Sequence, residues 1–144
     1  MAKLTIRISN SAAVQIHRDA NKANRLVYVA MANKKMKYPH GQSKIGYIGT
    51  TKVGADRIAA SAAAKSKELL SVHGVKTLSF FVVTCTGKQK VDSWRKLERG
   101  LLLVFRETYG LVPRSNSHGK SMKWTDELKY FTRDRLKTVI DKYS

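Results

Sequence analysis

A carboxylate stands where a helix should bury apolar side chains. Placed on a wheel at about 100° per residue, the segment Val91–Tyr109 has an apolar arc of Val91, Trp94, Leu97, Leu101, Val104 and Phe105, with Leu102 and Tyr109 at one edge. Arg95, Lys96, Arg99, Arg106 and Glu107 fill the opposite arc. Glu98 does not join them; it falls between Phe105 and Val91, close to Trp94. A lone carboxylate in apolar surroundings must be neutralised, paired or bound to a metal. Two readings stand side by side: a structural pair with a buried Arg or Tyr, and a ligand for a divalent cation aimed at a phosphate. Mg²⁺ commonly uses one or two protein carboxylates and keeps several waters, so such a site leaves no spacing motif.

The second chemical feature is the stretch SKIGYIGTT, Ser43 to Thr51, a strand-like run with glycines on both sides of a tyrosine. Period-two alternation predicts Ile45, Tyr47 and Gly49 on one face and Gly46 and Ile48 on the other. Glycine there leaves room for another backbone or a ligand to come close to Tyr47.

The charge balance names the partner class. Lys and Arg outnumber Asp and Glu by 28 to 10, a formal net charge of +18, spread along the chain rather than gathered in a tail. A folded basic surface of this kind suits a polyanion, and nucleic acid is preferred over an anionic membrane. No segment pairs a broad basic face with an aromatic face ready for a lipid interface, no run approaches a transmembrane length, and no targeting signal is read at the N-terminus. Cys85, the one cysteine, sits in the apolar run KTLSFFVVTC and reads as a small buried hydrophobe. A reducing, cytoplasmic and nucleoid-associated setting is the expectation.

The elements that position these residues read as follows. At 144 residues the chain suits one domain. Lys3–Ser9 alternates as a short strand, and Asn10 or Ser11 caps a helix to about Asp19. Leu26–Ala32 is a core strand, Asn33–Gln42 a connecting loop, and SKIGYIGTT the second strand of the hairpin. Val53–Ser71 is a helix with Thr50 or Thr51 as its cap, Lys76–Cys85 the third strand, and Val91–Tyr109 the second helix, stopped by Gly110. After a loop over Leu111–Lys123, Thr125 is expected to cap a last helix with Asp126 and Glu127 in its first turn. The fold class is α/β: a small central three-stranded antiparallel sheet flanked by helices, with residues 1–25 an N-terminal extension, 26–120 the core and 121–144 a C-terminal helix.

In order along that frame come Leu26-Val27-Tyr28, Tyr47-Ile48-Gly49, Arg57 in the first turn of a helix, Glu98 in the next helix and Asn116 after a Pro-containing loop. This set resembles the GIY-YIG nuclease domain, and the stretches YIGTTKVGADRIAASAA and WRKLERGLLLVFRETYGLVPRSN resemble small bacterial and phage members. The resemblance spans about Leu26 to Lys120. It implies metal-dependent hydrolysis of DNA phosphodiesters. Glu98 would bind Mg²⁺ or Mn²⁺, Tyr28 would act as base or water-orienting group with Tyr47 beside it, and Gly49 would permit close approach. Arg57 would stabilise phosphate charge, Asn116 would brace the site, and Lys44 would contact phosphate or help activate the nucleophile.

A tyrosine with a pKa near 10 is a poor base at neutral pH, so the metal and Arg57 would also have to lower it. Leu26 stands where the family's first motif has glycine, and Ser61 where members often carry histidine. The bases expected on nucleic acid are Lys34, Lys35, Lys37, Lys44, Lys52, Arg95, Arg99, Arg114 and Lys120, with the hairpin loop, His40 included, bringing Lys34, Lys35, Lys37 and Lys44 near the site. Without the resemblance, Tyr28 reads as core, Arg57 as a solvated charge and Asn116 as a turn residue. His73 and His118 read as loop residues, and Trp94 and Trp124 as core anchors. The competing function is a basic nucleic-acid-binding domain that keeps the fold without catalysis, and a homodimer is the further partner considered.

Overall fold

The computed structural model describes residues 3–13, 15, 25–54, 56–87 and 90–144. Two long strands, β1 (Leu26–Tyr38) and β2 (Gly41–Thr51), form a hairpin; helix α1 (Asp56–Leu70) crosses over to β3 (Leu78–Val83); α2 (Ser93–Tyr109) follows, and α3 (Arg133–Tyr143) ends the chain. The sheet is antiparallel throughout, in the order β2-β1-β3. It is an α/β arrangement of a three-stranded antiparallel sheet packed with three helices.

The two sheet faces have different owners. Val27 and Val29 of β1 and Ile45 and Ile48 of β2 pack with Leu97, Leu101, Phe105 and Tyr109 of α2 and with Leu136 and Ile140 of α3. On the other face Leu26 and Tyr28 meet Ile58 of α1, and Ala30, Ala32 and Met36 meet Leu69. The central strand is therefore covered on both sides, which is why LVYVA reads as a continuous apolar run. The α2 stop is as expected: Gly110 takes a left-handed φ of 87° and its N–H bonds the Arg106 carbonyl. Cys85 is half-buried against the α2 face of the core.

Four expectations are corrected. Asn33–Gln42 is not a loop: β1 continues to Tyr38, and the turn is confined to Pro39-His40. Its lysines belong to a strand whose outer part is solvated, while Met36 is buried and the Tyr38 hydroxyl donates to the Ile45 carbonyl (2.6 Å). The last helix is not capped by Thr125. Glu127, fully buried, accepts from Arg99 at 2.6 Å and from the Thr125 N–H at 2.8 Å. The chain makes a single 3-10 turn over Glu127–Lys129, and Thr132 caps α3 by accepting from the Arg135 N–H. Thr51 does not cap α1; it remains in β2, its hydroxyl accepting from the Val53 N–H. Lys3–Ser9 is no strand: it lies in the open, with Leu4, Ile6 and Ile8 exposed. Alternation supplied the pattern, but among the described residues no neighbouring strand takes up its hydrogen bonds. The helix expected from residue 10 to about 19 falls largely outside the described residues.

Candidate active site

A bulge aims the tyrosines. Ala30 pairs with Tyr47 but Met31 pairs with Ile45, so Gly46 is the extra residue. The bulge overturns the expected strict alternation: Ile45 joins Ile48 on the α2 face, while Tyr47 packs with Tyr28 and Ile58 on the α1 face. Glycine is needed at the bulge because a Cβ on Gly46 would stand 2.6 Å from the Leu69 side chain.

The two rings then lie 5.9 Å apart, centroid to centroid. Gly49 makes this packing possible, since a Cβ there would stand 2.7 Å from the Tyr28 ring and hydroxyl and 2.7 Å from the Tyr47 ring. Tyr28 is 2% exposed, and its hydroxyl donates to Ser61 Oγ at 2.6 Å. Ser61 thus fills, with a hydroxyl, the place one helical turn beyond Arg57. Tyr47 is the more open of the two, with Lys65 Nζ 4.8 Å above its ring. Burial, a hydrogen bond to Tyr28 that holds its proton, and the nearby Glu98 charge push the Tyr47 hydroxyl up to about 12.

Glu98 is half-buried on α2, and among the described residues no ion pair holds it. Burial raises its pKa above the ordinary value; a hydrogen bond from the Thr50 hydroxyl and the charges of Arg95, Arg99 and His118 oppose this without cancelling it. Thr50 also lines an open cleft of about 460 Å³, together with Thr51, Lys52, Val53, Arg57, Trp94 and Arg95. The cleft continues across Lys52, Trp94 and Arg95 into a second of about 490 Å³, bounded by Arg25, Lys90, Val91 and Asp92. Arg95 stacks over the Trp94 ring at 4.8 Å. Arg57 stands exposed in the first turn of α1, its N–H on the Gly54 carbonyl.

Asn116 acts on β2 itself. Its Nδ2 donates to the Ile48 carbonyl (2.8 Å) and its Oδ1 accepts from the Ile48 N–H (3.0 Å). With Ser115 N–H on the Gly46 carbonyl (2.9 Å), the segment closes the free edge of β2 opposite the tyrosines.

The other candidates divide. Lys52 and Arg95 line the clefts, and Lys44 lies half-buried in β2, three residues before Tyr47. Lys34 instead donates to the His73 carbonyl (2.8 Å), tying β1 to the loop before β3. His40 packs against Gly110 at the C-terminal end of α2, roughly 18 Å along that helix from Glu98. The hairpin tip and its bases are therefore not gathered at Glu98. Lys35 and Lys37 are exposed on that same outer hairpin. Arg99 is committed to Glu127 and the Lys123 carbonyl. Arg114 is exposed and gives its backbone N–H to the Tyr38 hydroxyl, and Lys120 is exposed beside the Arg106 contact. Trp94 is buried and Trp124 donates to Glu107.

Sequence reading had not assigned Thr50, Arg25 or Lys90 to the site. Thr50 had one signal, its place directly after Tyr47-Ile48-Gly49. Arg25 and Lys90 carry left-handed backbones, φ 49° and 61°, which no pattern of side chains announces.

The donor set fits a hard divalent cation: one carboxylate, joined through Thr50 to a roomy cleft for water and phosphate oxygens. Among the described residues no group of three His, Cys, Asp or Glu side chains gathers to form a larger cage, and no helix among them is long and apolar enough to cross a membrane.

These features define an α/β chain with a tyrosine pair, a half-buried carboxylate that no described ion pair holds, and a basic cleft around one bulged strand. Comparison with family models, with curated proteins and with solved structures found no match.

Proposed function

We propose that the chain is a metal-dependent DNA endonuclease of the GIY-YIG kind. The observation that carries this reading is the juxtaposition of the Gly49-cleared tyrosine pair with Glu98, a carboxylate without an ion pair among the described residues, beside a cleft that holds Arg57. A structural ion pair at Glu98 would place a cation on it. Arg95 and Arg99 lie near enough to lower its pKa, yet Arg99 is paired to Glu127 and burial still prevails at Glu98.

In this mechanism the DNA backbone lies in the cleft. Arg57, Lys52 and Arg95 neutralise phosphate oxygens and hold the scissile group against β2. Glu98, oriented by the Thr50 hydroxyl, would hold Mg²⁺ or Mn²⁺, which when bound supplies Lewis-acid stabilisation of charge on the phosphate. Tyr47 orients the attacking water, because it is the less buried hydroxyl of the pair. Tyr28, fixed by Ser61, sets the position of Tyr47 from behind. A raised tyrosine pKa opposes base catalysis, and one contributor to it is the Glu98 charge. The cation that Glu98 would hold, and the Arg57 guanidinium, would work against that contribution. Water adds to phosphorus, the bond to one ester oxygen breaks, and the products are a phosphomonoester end and a hydroxyl end. Asn116 keeps β2 in register while this happens.

The test is cleavage of duplex, nicked, branched and single-stranded DNA with Mg²⁺, Mn²⁺ or EDTA. Cleavage that requires the cation and is lost in Glu98→Ala is expected. Salt-sensitive binding with no cleavage, unchanged by EDTA, would instead establish the non-catalytic binding domain.

A further inference from the structure

The two outer edges of the sheet are treated differently. Ser115 and Asn116 cover the free edge of β2. β3 is the other terminal strand, and among the described residues nothing pairs with its outer edge. Its sequence, LSFFVV, holds no charge, proline or glycine, and none of its six residues is buried. Natural edge strands are guarded by lysine, proline, a bulge or a covering segment, because an open row of N–H and C=O groups invites another chain. None of these devices stands within β3, and its composition is that of segments prone to pair between chains.

Residues 3–9, KLTIRIS, are the complement. Leu4, Ile6 and Ile8 alternate with Lys3, Thr5, Arg7 and Ser9, and they are 95%, 86% and 85% exposed. The segment's described hydrogen bonds are local, between Ser9 and Ser11. At about 3.3 Å per residue this arm is long enough to run the whole of β3. Among the described residues there is thus an apolar-striped arm that joins no sheet and an apolar sheet edge that no strand pairs.

We infer that residues 3–9 of one chain add to the outer edge of β3 of a second copy, and reciprocally, giving a strand-exchanged dimer with two four-stranded sheets. The occupant is the second copy because in the single chain the arm stands clear of its own β3. A two-fold arrangement satisfies both arms and both edges and closes on itself. Each copy carries +18, so the exchange works against mutual repulsion, and salt that screens this repulsion favours the dimer. That is the reverse of the salt effect on DNA binding, so the two associations are separable. The inference does not depend on nuclease activity.

Light scattering on the full chain after size exclusion, at about 0.15 M and about 0.5 M salt, tests it. The expected mass is twice the 16.2 kDa of the chain, with the dimer fraction rising with salt. L4S/I6S/I8S should be monomeric with an unchanged far-UV circular dichroism spectrum, since the three side chains are exposed. Ser79→Lys, which charges the edge strand, should also shift the equilibrium to monomer. A wild-type monomer at both salts, or a dimer that survives L4S/I6S/I8S, overturns the proposal. So does a monomer whose arm resists proteolysis, because the arm would then be docked on its own chain.

Discussion

Glu98 and Glu127 are two carboxylates with opposite consequences for stability. Burial raises the pKa of Glu98 above its ordinary 4.5. The folded state then holds the proton more tightly than the unfolded state. Its contribution favours folding at acid pH and falls as pH rises from 4.5 through the raised folded value. Glu98→Gln should therefore raise the melting temperature at pH 7 and leave it nearly unchanged near pH 4, as seen by thermal denaturation at the two pH values. Such relief is what a residue kept for chemistry rather than packing predicts.

Glu127 behaves in reverse. Burial raises its pKa, but the hydrogen bonds from Arg99 and Thr125 outweigh this, and the net shift is downward. Its stabilisation is fully present above 4.5 and is lost as pH falls through the lowered folded value. Glu127→Gln should cost about 2–3 kcal/mol at pH 7, the scale of hydrogen bonds to a charged group, and less as pH falls below 4.5. Urea denaturation across pH measures both. Gly49→Ala places a methyl against two rings and should cost about 1–3 kcal/mol. Its larger effect should be on catalysis, read as kcat, because the two tyrosines must part.

At the scale of elements, the bulge in β2 decides where Tyr47 points. Asn116 holds that strand by two hydrogen bonds to Ile48. Asn116→Ala should remove about 2 kcal/mol at about 1 kcal/mol per bond, and hydrogen exchange at Ile48 should rise before the β1 core exchanges. Much of this architecture was readable from local pattern. The α2 helix, its Gly110 stop and the odd position of Glu98 all follow from a 3.6-residue period. The bulge did not, because SKIGYIGTT alternates well enough to hide one extra glycine, and only pairing with β1 displays it. Asn33–Gln42 was misread because its lysines and asparagine report solvation, not chain path; an exposed hairpin arm is solvated too. Thr125 misled because the partner that buries Glu127 is Arg99, distant in sequence and invisible to a capping pattern. The tyrosine pair, Asn116 and Arg57 were legible only as an ordered set, since each alone has an ordinary structural reading.

On the scale of the whole molecule, the proposed DNA binding would rest on charge. Arg25, Lys52, Arg57, Lys90 and Arg95 line the joined clefts. If each of these bases replaces one counterion, the logarithm of the DNA-binding constant should fall with the logarithm of salt at a slope of about −4 to −5. Lys52→Ala should reduce that slope by about 1. Lys37→Ala, on the hairpin remote from Glu98, should change it less. Fluorescence anisotropy on labelled duplex with EDTA present reads both slopes without cleavage.

The central claim is that one carboxylate on α2, set beside a cleared tyrosine pair, makes this basic fold a nuclease. The most direct measurement is single-turnover cleavage of DNA by wild type and Glu98→Gln with Mg²⁺, with anisotropy on the same DNA alongside. The account predicts cleavage by the wild type, loss of it by a factor of about 10² or more in the variant, and near-equal DNA binding by both. Equal cleavage by the two proteins, or no cleavage by wild type with any DNA form or divalent cation, would contradict it.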